Sequence, residues 1–304
     1  MRHRVLGRGP AILFLHGVPT SGRLWDGAAR ALGRRHTCVL VDLPGLGDSV
    51  PLPEGGLEPE AYVLALEGLR SQLGLPDWHV VGHDAGATIA AHYAATRPAR
   101  VRRLVLMAPP LLADFRPPAI MRLLRRPILG DLLAPLLLAL LWRVILPLAL
   151  LRRRDAANRA TLAGFATPFR GRAGRRRFLR LIRWGDPATV LGRIEAGLSS
   201  IQCPTLVLQG RRDIAIAAPN ARRAAEAIPG ARLCLTDGGH FLALEEPELV
   251  AAELAGFLGA AEMEVELASG LDRELAAASR HLEVAGTCGD GGGFGGAVAV
   301  PVSS

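Results

Sequence analysis

The sequence predicts an α/β fold in which a mainly parallel β-sheet is covered by helices on both faces. Short apolar runs of the kind found in buried parallel strands alternate along the chain with longer helix-like segments. Glycine and polar residues follow several of these runs, where the carboxyl ends of parallel strands place the loops of a site. The chain has 304 residues, 50% of them hydrophobic, which is ample for one core domain and an inserted segment.

The elements follow one another in a regular order. The predicted strands are residues 11–15, 38–41, 78–81, 101–107, 204–209 and 231–235, each a mostly apolar run. The predicted helices are residues 21–32, 59–73, 87–95, 219–227 and 247–258. A long segment, residues 111–197, separates the fourth predicted strand from the fifth.

A sharp turn with an acid at its apex separates the third predicted strand from a helix. Gly82-His83-Asp84-Ala85-Gly86 follows the run 78–81, and its glycines avoid the clashes that side chains would make in a tight bend. A carboxylate is ionised near neutral pH, so Asp84 is able to attack a saturated carbon directly and leave an ester on the enzyme. The alternative is a residue that only caps the helix.

Two further side chains of catalytic type follow later strands. Asp213 comes after the fifth predicted strand, and His240 comes after the sixth, in Gly238-Gly239-His240. Because the carboxyl ends of parallel strands meet at one edge of a sheet, both are expected near Asp84. The alternatives are a helix cap for Asp213 and a buried, hydrogen-bonded histidine for His240.

The chain order of nucleophile, acid and histidine resembles that of the α/β-hydrolases, in the haloalkane dehalogenase and epoxide hydrolase branch, over about residues 3–259. The motifs that carry the resemblance are His16-Gly17-Val18-Pro19-Thr20-Ser21, Asp42-Leu43-Pro44-Gly45-Leu46-Gly47-Asp48-Ser49, Gly82-His83-Asp84, Gly210 to Asp213 and Gly239-His240. It implies an α/β-hydrolase fold whose strand-to-helix turn is a nucleophile elbow (residues 82–86), with a helical cap, or lid, inserted in the core.

The resemblance also implies a two-step reaction without a cofactor. Asp84 would displace a leaving group and form an alkyl ester, and His240, oriented by Asp213, would activate the water that hydrolyses it. The backbone N–H groups of Val18 and Ala85 would stabilise the oxyanion. The expected partners are water and a small hydrophobic substrate with a carbon–halogen or epoxide bond.

The sequence departs from these relatives where the leaving group is bound. Haloalkane dehalogenases commonly use a Trp after the nucleophile and an Asn in the His-Gly-x-Pro motif, and fluoroacetate-type enzymes use an Arg after the nucleophile, but Ala85 and Val18 stand here. Epoxide hydrolases use two cap tyrosines, whereas Tyr62 and Tyr93 lie outside the cap.

We therefore expect a donor elsewhere. The candidates are the indoles of Trp142 and Trp184 as substrate-pocket residues, or a cap arginine, with core packing as the alternative for both tryptophans. An enzyme acting on another electrophile such as an ester, and a non-catalytic ligand-binding or membrane-associated homologue, remain as alternative functions.

The predicted cap contains a strongly apolar stretch, residues 128–151, about as long as a membrane span. Two charges and two prolines (Asp131, Arg143, Pro135, Pro147) argue against a span, because proline interrupts a helix. A single crossing would also separate Asp84 from His240. The stretch then lines a lipophilic pocket or rests on a membrane surface, with a plain buried lid helix as the alternative.

The basic charge of the chain belongs to the cap. The net charge is +8, and residues 113–197 contain 17 Arg against 5 acidic residues. No nucleic-acid motif accompanies the arginines, so no nucleic-acid partner is expected. A solvated face is the default interpretation, and peripheral membrane contact is the alternative.

The predicted domains are a core of residues 1–110 and 198–259, the cap of 111–197, and an extension of 260–304. The extension begins with an acidic, Ala-rich stretch suited to one helix, 262–285, and ends in a flexible Gly-rich tail. Dispersed cysteines without metal spacing predict a reducing compartment, the cytoplasm, and no metal. Since the first core strand begins at residue 11, the antiparallel strand that usually opens this fold is expected to be missing or shortened.

Overall fold

A seven-stranded sheet forms the centre of the molecule. The computed structural model describes residues 1–52, 58–183 and 185–259. The strands are β1 (His3–Gly7), β2 (Ala11–Leu15), β3 (Thr37–Val41), β4 (Trp78–His83), β5 (Val101–Met107), β6 (Thr205–Gly210) and β7 (Arg232–Thr236). Their order in the sheet is β1-β3-β2-β4-β5-β6-β7, with β1 antiparallel to β3 and the other pairs parallel. The predicted fold class is confirmed.

The first strand corrects one expectation. β1 is present and pairs antiparallel with β3 from His3 opposite Val41 to Gly7 opposite Thr37. It lies at the edge of the sheet and is largely exposed, so its sequence lacks the continuous apolar run by which the buried strands were recognised.

Helices connect the parallel strands. Those of the core are α1 (Asp26–Leu32), α2 (Pro59–Gln72), α3 (Ala85–Thr96), α9 (Ala218–Ala227), α10 (Leu242–Glu245) and α11 (residues 247–259). The central strands are apolar throughout because both faces are covered; Ile12, Leu13, Phe14 and Leu15 of β2 are completely buried. Burying a large aliphatic or aromatic side chain contributes about 1.5–3 kcal/mol, so these strands anchor the loops that follow them.

The segment between β5 and β6 is helical. It contains α4 (Ala119–Arg125), α5 (Leu129–Leu140), a π-helical continuation (Leu141–Leu150), α6 (Ala156–Phe165), α7 (Gly171–Ile182) and α8 (Pro187–Gly197). We call this segment the lid.

The two prolines expected to interrupt the apolar stretch do not end the helix. Pro135 lies inside α5 on its exposed side, and Pro147 lies inside the π-helical continuation. A local change to wider π-type hydrogen bonding can accommodate the N–H that proline lacks. The predicted helix 262–285 and the Gly-rich tail lie outside the described residues.

Candidate active site

Asp84 stands at the bend between β4 and α3. Its φ of 52° and ψ of −123° are rarely adopted by residues other than glycine, and such backbone strain costs about 1–3 kcal/mol. The flanking glycines are required by close packing. A Cβ at Gly82 would lie 2.5 Å from the carbonyl oxygen of Gly86, and one at Gly86 would lie 2.5 Å from that of Leu15. The bend thus presents the Asp84 side chain at the end of the central strand.

Backbone N–H groups hold the Asp84 carboxylate. The N–H of Val18 donates to Oδ2 at 2.9 Å, and the N–H of Ala85 also donates to the carboxyl group. Burial raises the pKa of Asp84, and the charge of His240 together with these two hydrogen bonds opposes the rise only in part. The two predicted oxyanion donors therefore both point at this carboxyl group.

His240 and Asp213 form a hydrogen-bonded pair. His240 Nδ1 lies 2.9 Å from Asp213 Oδ2, and Asp213 Oδ1 accepts the N–H groups of Ala215 and Ile216 at 2.8 and 2.9 Å. An ionised carboxylate only accepts, so Nδ1 carries the proton and Nε2 is left to act as a base.

The charges of this pair shift both pKa values. Burial acts to lower the pKa of His240, but the charge and hydrogen bond of Asp213 outweigh it and leave the pKa raised. Burial acts to raise the pKa of Asp213, but His240 and the backbone N–H donors outweigh it and leave the pKa lowered.

A cavity of about 230 Å³ lies between core and lid. Asp84 and His240 both form part of its wall, with Val18 and Ala85 beside them. The rest of the wall is mainly apolar and includes Leu43, Leu46, Ile89, Phe115, Ile120, Met121, Leu141, Ile145, Leu146, Leu150, Leu181, Ile182, Leu191, Ile216 and Phe241. Such a wall suits a small hydrophobic ligand.

Comparison with known proteins identifies the family. The family described as alpha/beta hydrolase fold matches residues 10–247. This chain belongs to the alpha/beta hydrolase fold family. The first curated relatives match over only 30% of their own length.

Among the relatives of this chain, a haloalkane dehalogenase of Bradyrhizobium diazoefficiens is 27% identical over 83% of this chain and 88% of its own. Epoxide hydrolase 2 of Siraitia grosvenorii is 36% identical, but the match covers 33% of this chain and 32% of the relative. The crystal structure of a haloalkane dehalogenase from Bradyrhizobium elkani superposes with a TM-score of 0.73 and 26% identity, covering 86% of this chain and 94% of the other. The predicted resemblance to this branch is confirmed as a similarity, and membership is shown for the alpha/beta hydrolase fold family.

Two buried histidines support the loops of the candidate site. Burial lowers the pKa of His83 to about 3, so the ring is neutral and its Nε2 donates to the backbone carbonyl of His240 at 2.8 Å. Burial lowers the pKa of His16 to about 4. His16 Nδ1 donates to the Gly17 carbonyl, and Nε2 accepts the N–H of Leu43, both at 2.9 Å. These rings join the loops after β2, β3, β4 and β7.

The sequence motif Asp42 to Ser49 shapes a loop at the cavity wall. Asp42 Oδ1 accepts the N–H of Gly22 at 2.8 Å, and Oδ2 accepts the N–H of Asp48 at 2.9 Å. These bonds shape the loop that carries Leu43 and Leu46 to the cavity wall.

The structure corrects one of the two expected pocket residues. Trp142 does not line the cavity; it stacks on Phe169, with ring centroids 6.0 Å apart and ring planes at 19°. It therefore packs as part of the lid core. Trp184 lies outside the described residues. The cap arginine Arg125 does reach the cavity, but its guanidinium donates to the carbonyls of Ile182 and Gly185.

Tyr62, which the sequence analysis set aside as a donor because it lies outside the lid, does reach the cavity. It belongs to the buried face of α2, is 7% exposed and forms part of the cavity wall. Tyr62 takes part in none of the hydrogen bonds between side chains and other groups of the described residues, and burial, the sole cause of the shift, raises its pKa to about 12. It is thus a protonated, unused donor. A hydroxyl in an otherwise apolar helix face was the signal in the sequence.

Proposed function

We propose that this hydrolase cleaves a carbon–halogen or epoxide bond of a small hydrophobic molecule through an alkyl ester on Asp84. The observation that carries the proposal is the position of the Asp84 carboxylate, at the apex of the elbow and on the wall of an apolar cavity that His240 also lines. A buried carboxylate is poorly solvated, which makes it a stronger nucleophile once it is ionised. We also propose a cytoplasmic location, because the dispersed cysteines predict a reducing compartment.

The first step forms the ester. A carboxylate oxygen of Asp84 attacks the electrophilic carbon, and the bond from that carbon to the halogen or epoxide oxygen breaks, with the electron pair leaving on the halide or alkoxide. The Val18 and Ala85 N–H groups orient the carboxylate for attack.

The second step regenerates Asp84. His240 Nε2 takes a proton from water, and the resulting hydroxide attacks the ester carbonyl. Val18 and Ala85 donate to the oxyanion, and a single such donor contributes about 3 kcal/mol to the transition state. Collapse of the tetrahedral intermediate breaks the bond between the carbonyl carbon and the alcohol oxygen, and that oxygen takes the proton from His240. The Asp84 carboxyl group then loses the remaining proton to solvent and is a carboxylate again. Asp213 stabilises the imidazolium that forms meanwhile.

The leaving group divides the proposal into two candidates. The free Tyr62 hydroxyl favours an epoxide, because a departing alkoxide needs a proton. Of the other donors on the cavity wall, Thr88 already donates to the Pro110 carbonyl at 3.1 Å, and Arg125 donates to two lid carbonyls. The similarity to haloalkane dehalogenases at 26–27% identity favours a halide instead.

Trapping the ester tests the proposal. His240→Gln should accumulate the intermediate when it is incubated with chlorinated alkanes or epoxides, and mass spectrometry should find the adduct on the peptide that contains Asp84. An adduct that has lost the halogen supports dehalogenation, and one with the full mass of the substrate supports epoxide opening.

Asp84→Asn in the His240→Gln background is the matched control and should give no adduct. Absence of any adduct from folded His240→Gln protein, across both classes of substrate, would reject the proposal in favour of another electrophile or a non-catalytic role.

A further inference from the structure

The outer side of the lid carries a continuous row of exposed apolar side chains. The row consists of Ile128, Leu132, Leu136, Leu140, Val144 and Leu148. Their exposed fractions range from 41% for Leu140 to 84% for Ile128. Residues four apart are neighbours on a helix surface, so the five side chains from Leu132 to Leu148 run along α5 and its π-helical continuation, and Ile128 directly precedes α5. We call them the lid row. Soluble proteins seldom expose so many aligned large apolar side chains without a partner.

The helix that carries the lid row is apolar on its inner side as well. Leu141, Ile145, Leu146 and Leu150 line the cavity. The stretch Leu129–Leu148 is long and apolar enough to cross a membrane by length and composition, but its inner side forms a wall of the candidate active site. Only 28% of its most apolar window is buried in the protein. One side of this helix therefore lines the cavity, and the other side is an apolar surface exposed to solvent.

Positive charge surrounds the lid row. Residues 119–154 contain seven Arg and one acidic residue, Asp131, which pairs with Arg183 at 2.9 Å. Arg122, Arg126 and Arg143 are exposed and form no ion pair with any residue that the structure describes. At the far end, Arg154 donates to the carbonyls of Leu148 and Leu151 and so lies directly beside the row.

We infer that the lid row docks on the surface of an anionic lipid bilayer, with its helix in the plane of the membrane. Apolar side chains flanked by arginine match the apolar and anionic parts of such a surface. A second copy of the chain fits less well. Both ends of the row are positive, so parallel and antiparallel pairing would each bring like charges together. Docking would place the cavity beside the hydrocarbon phase in which a lipophilic substrate concentrates, a consequence that rests on the proposed function.

Vesicle flotation with the full chain tests the inference without measuring activity. We expect binding to vesicles that contain about one third phosphatidylglycerol, and about tenfold weaker binding to pure phosphatidylcholine vesicles. Substitution of Ile128, Leu132 and Leu136 by Ser should weaken binding to the anionic vesicles about tenfold or more, because all three are exposed and contribute mainly to the lipid contact.

The matched control replaces three exposed apolar residues elsewhere, Val50, Leu64 and Ile214, by Ser, and should bind like the wild type. Equal binding by both triple variants would overturn the inference. So would a concentration-dependent dimer that only the lid-row substitutions abolish, or protein that resists extraction from vesicles by high salt and alkaline carbonate as a spanning protein does. The outcome is independent of the adduct experiment, so either proposal can fail alone.

Discussion

His83 donates its Nε2–H to the backbone carbonyl of His240, 2.8 Å away, and so joins the elbow to the loop that carries the imidazole. The centroids of the His83 and His240 rings lie 4.8 Å apart. A neutral, buried ring thereby fixes the distance between the end of β4 and the loop after β7. His83 acts through His240, so we regard it as a positioning residue.

Replacing His83 by Leu should slow hydrolysis of the Asp84 ester more than its formation, because only the hydrolysis step uses His240. Leaving a buried carbonyl without its donor should also lower the free energy of unfolding by about 1–3 kcal/mol. Rapid-quench kinetics and thermal unfolding measure the two effects. His79→Leu is the control, since His79 is equally buried in β4 but its ring packs against His36 and not against the His240 loop. Equal slowing of both steps would contradict a positioning role.

The two steps should differ in pH dependence. Ester formation needs ionised Asp84, so its rate should fall as the pH drops through a pKa above the usual range of an aspartate. Hydrolysis needs neutral His240, whose pKa is also raised, so its acid limb should lie above that of a free imidazole. Single-turnover rates of ester formation and of ester hydrolysis, measured across pH, give the two acid limbs separately.

Asp213→Asn should move the acid limb of hydrolysis to lower pH, because it removes the charge that raises the pKa of His240. It should also reduce the plateau rate by about 10²- to 10⁴-fold, since the Nδ1–H tautomer is no longer favoured. The same single-turnover hydrolysis measurement reads both effects. An unchanged acid limb of hydrolysis would mean that Asp213 does not raise the pKa of His240.

Tyr62→Phe should reduce ester formation from epoxides by about 10²-fold or more and leave haloalkanes nearly unaffected, because only an alkoxide needs the proton. Comparison of the two substrate classes gives the readout. Tyr93→Phe is the control: its hydroxyl accepts from Trp78 and donates to Glu67 away from the cavity. Equal losses on both classes would show that Tyr62 shapes the cavity and does not donate.

Gly17→Ala should abolish most of the activity, because a Cβ at Gly17 would lie 2.4 Å from Oδ2 of Asp84 and displace the carboxylate. In Gly68→Ala, by contrast, the new Cβ meets nothing within 4 Å inside α2, so the protein should be more stable by about 0.5–1 kcal/mol with unchanged turnover. Adduct yield and thermal unfolding compare the two variants. Normal adduct formation in Gly17→Ala would show that the carboxylate has room to move.

The buried strands and the elbow were predictable because both depend on local sequence. A strand covered on two faces needs a continuous apolar run, and the bend at Asp84 needs glycines where Cβ atoms would meet backbone. β1 was missed because an edge strand with one solvated side carries no such run. The roles of Asp84, Asp213 and His240 stay predictions, although the structure brings Asp213 to His240 and both Asp84 and His240 to one cavity.

The wall of the cavity was harder to predict, because it depends on how helices distant in sequence pack together. Trp142 stacks on Phe169 and does not line the cavity, whereas Tyr62 of α2 forms part of the cavity wall. Neither outcome is encoded in local periodicity. The prediction that Pro135 and Pro147 interrupt the helix was wrong for a related reason. Proline disfavours a helix locally, but packing within the lid keeps both residues in helical segments.

The division between core and lid has an evolutionary consequence. Asp84, Asp213 and His240 all come from loops of the sheet, whereas Leu141, Ile145 and Leu146 on the cavity wall come from the lid. Mutations in the lid can therefore reshape the binding chamber while the reacting atoms keep their places. Selection for new compounds should accordingly change the lid first, while the three proposed catalytic residues are inherited unchanged.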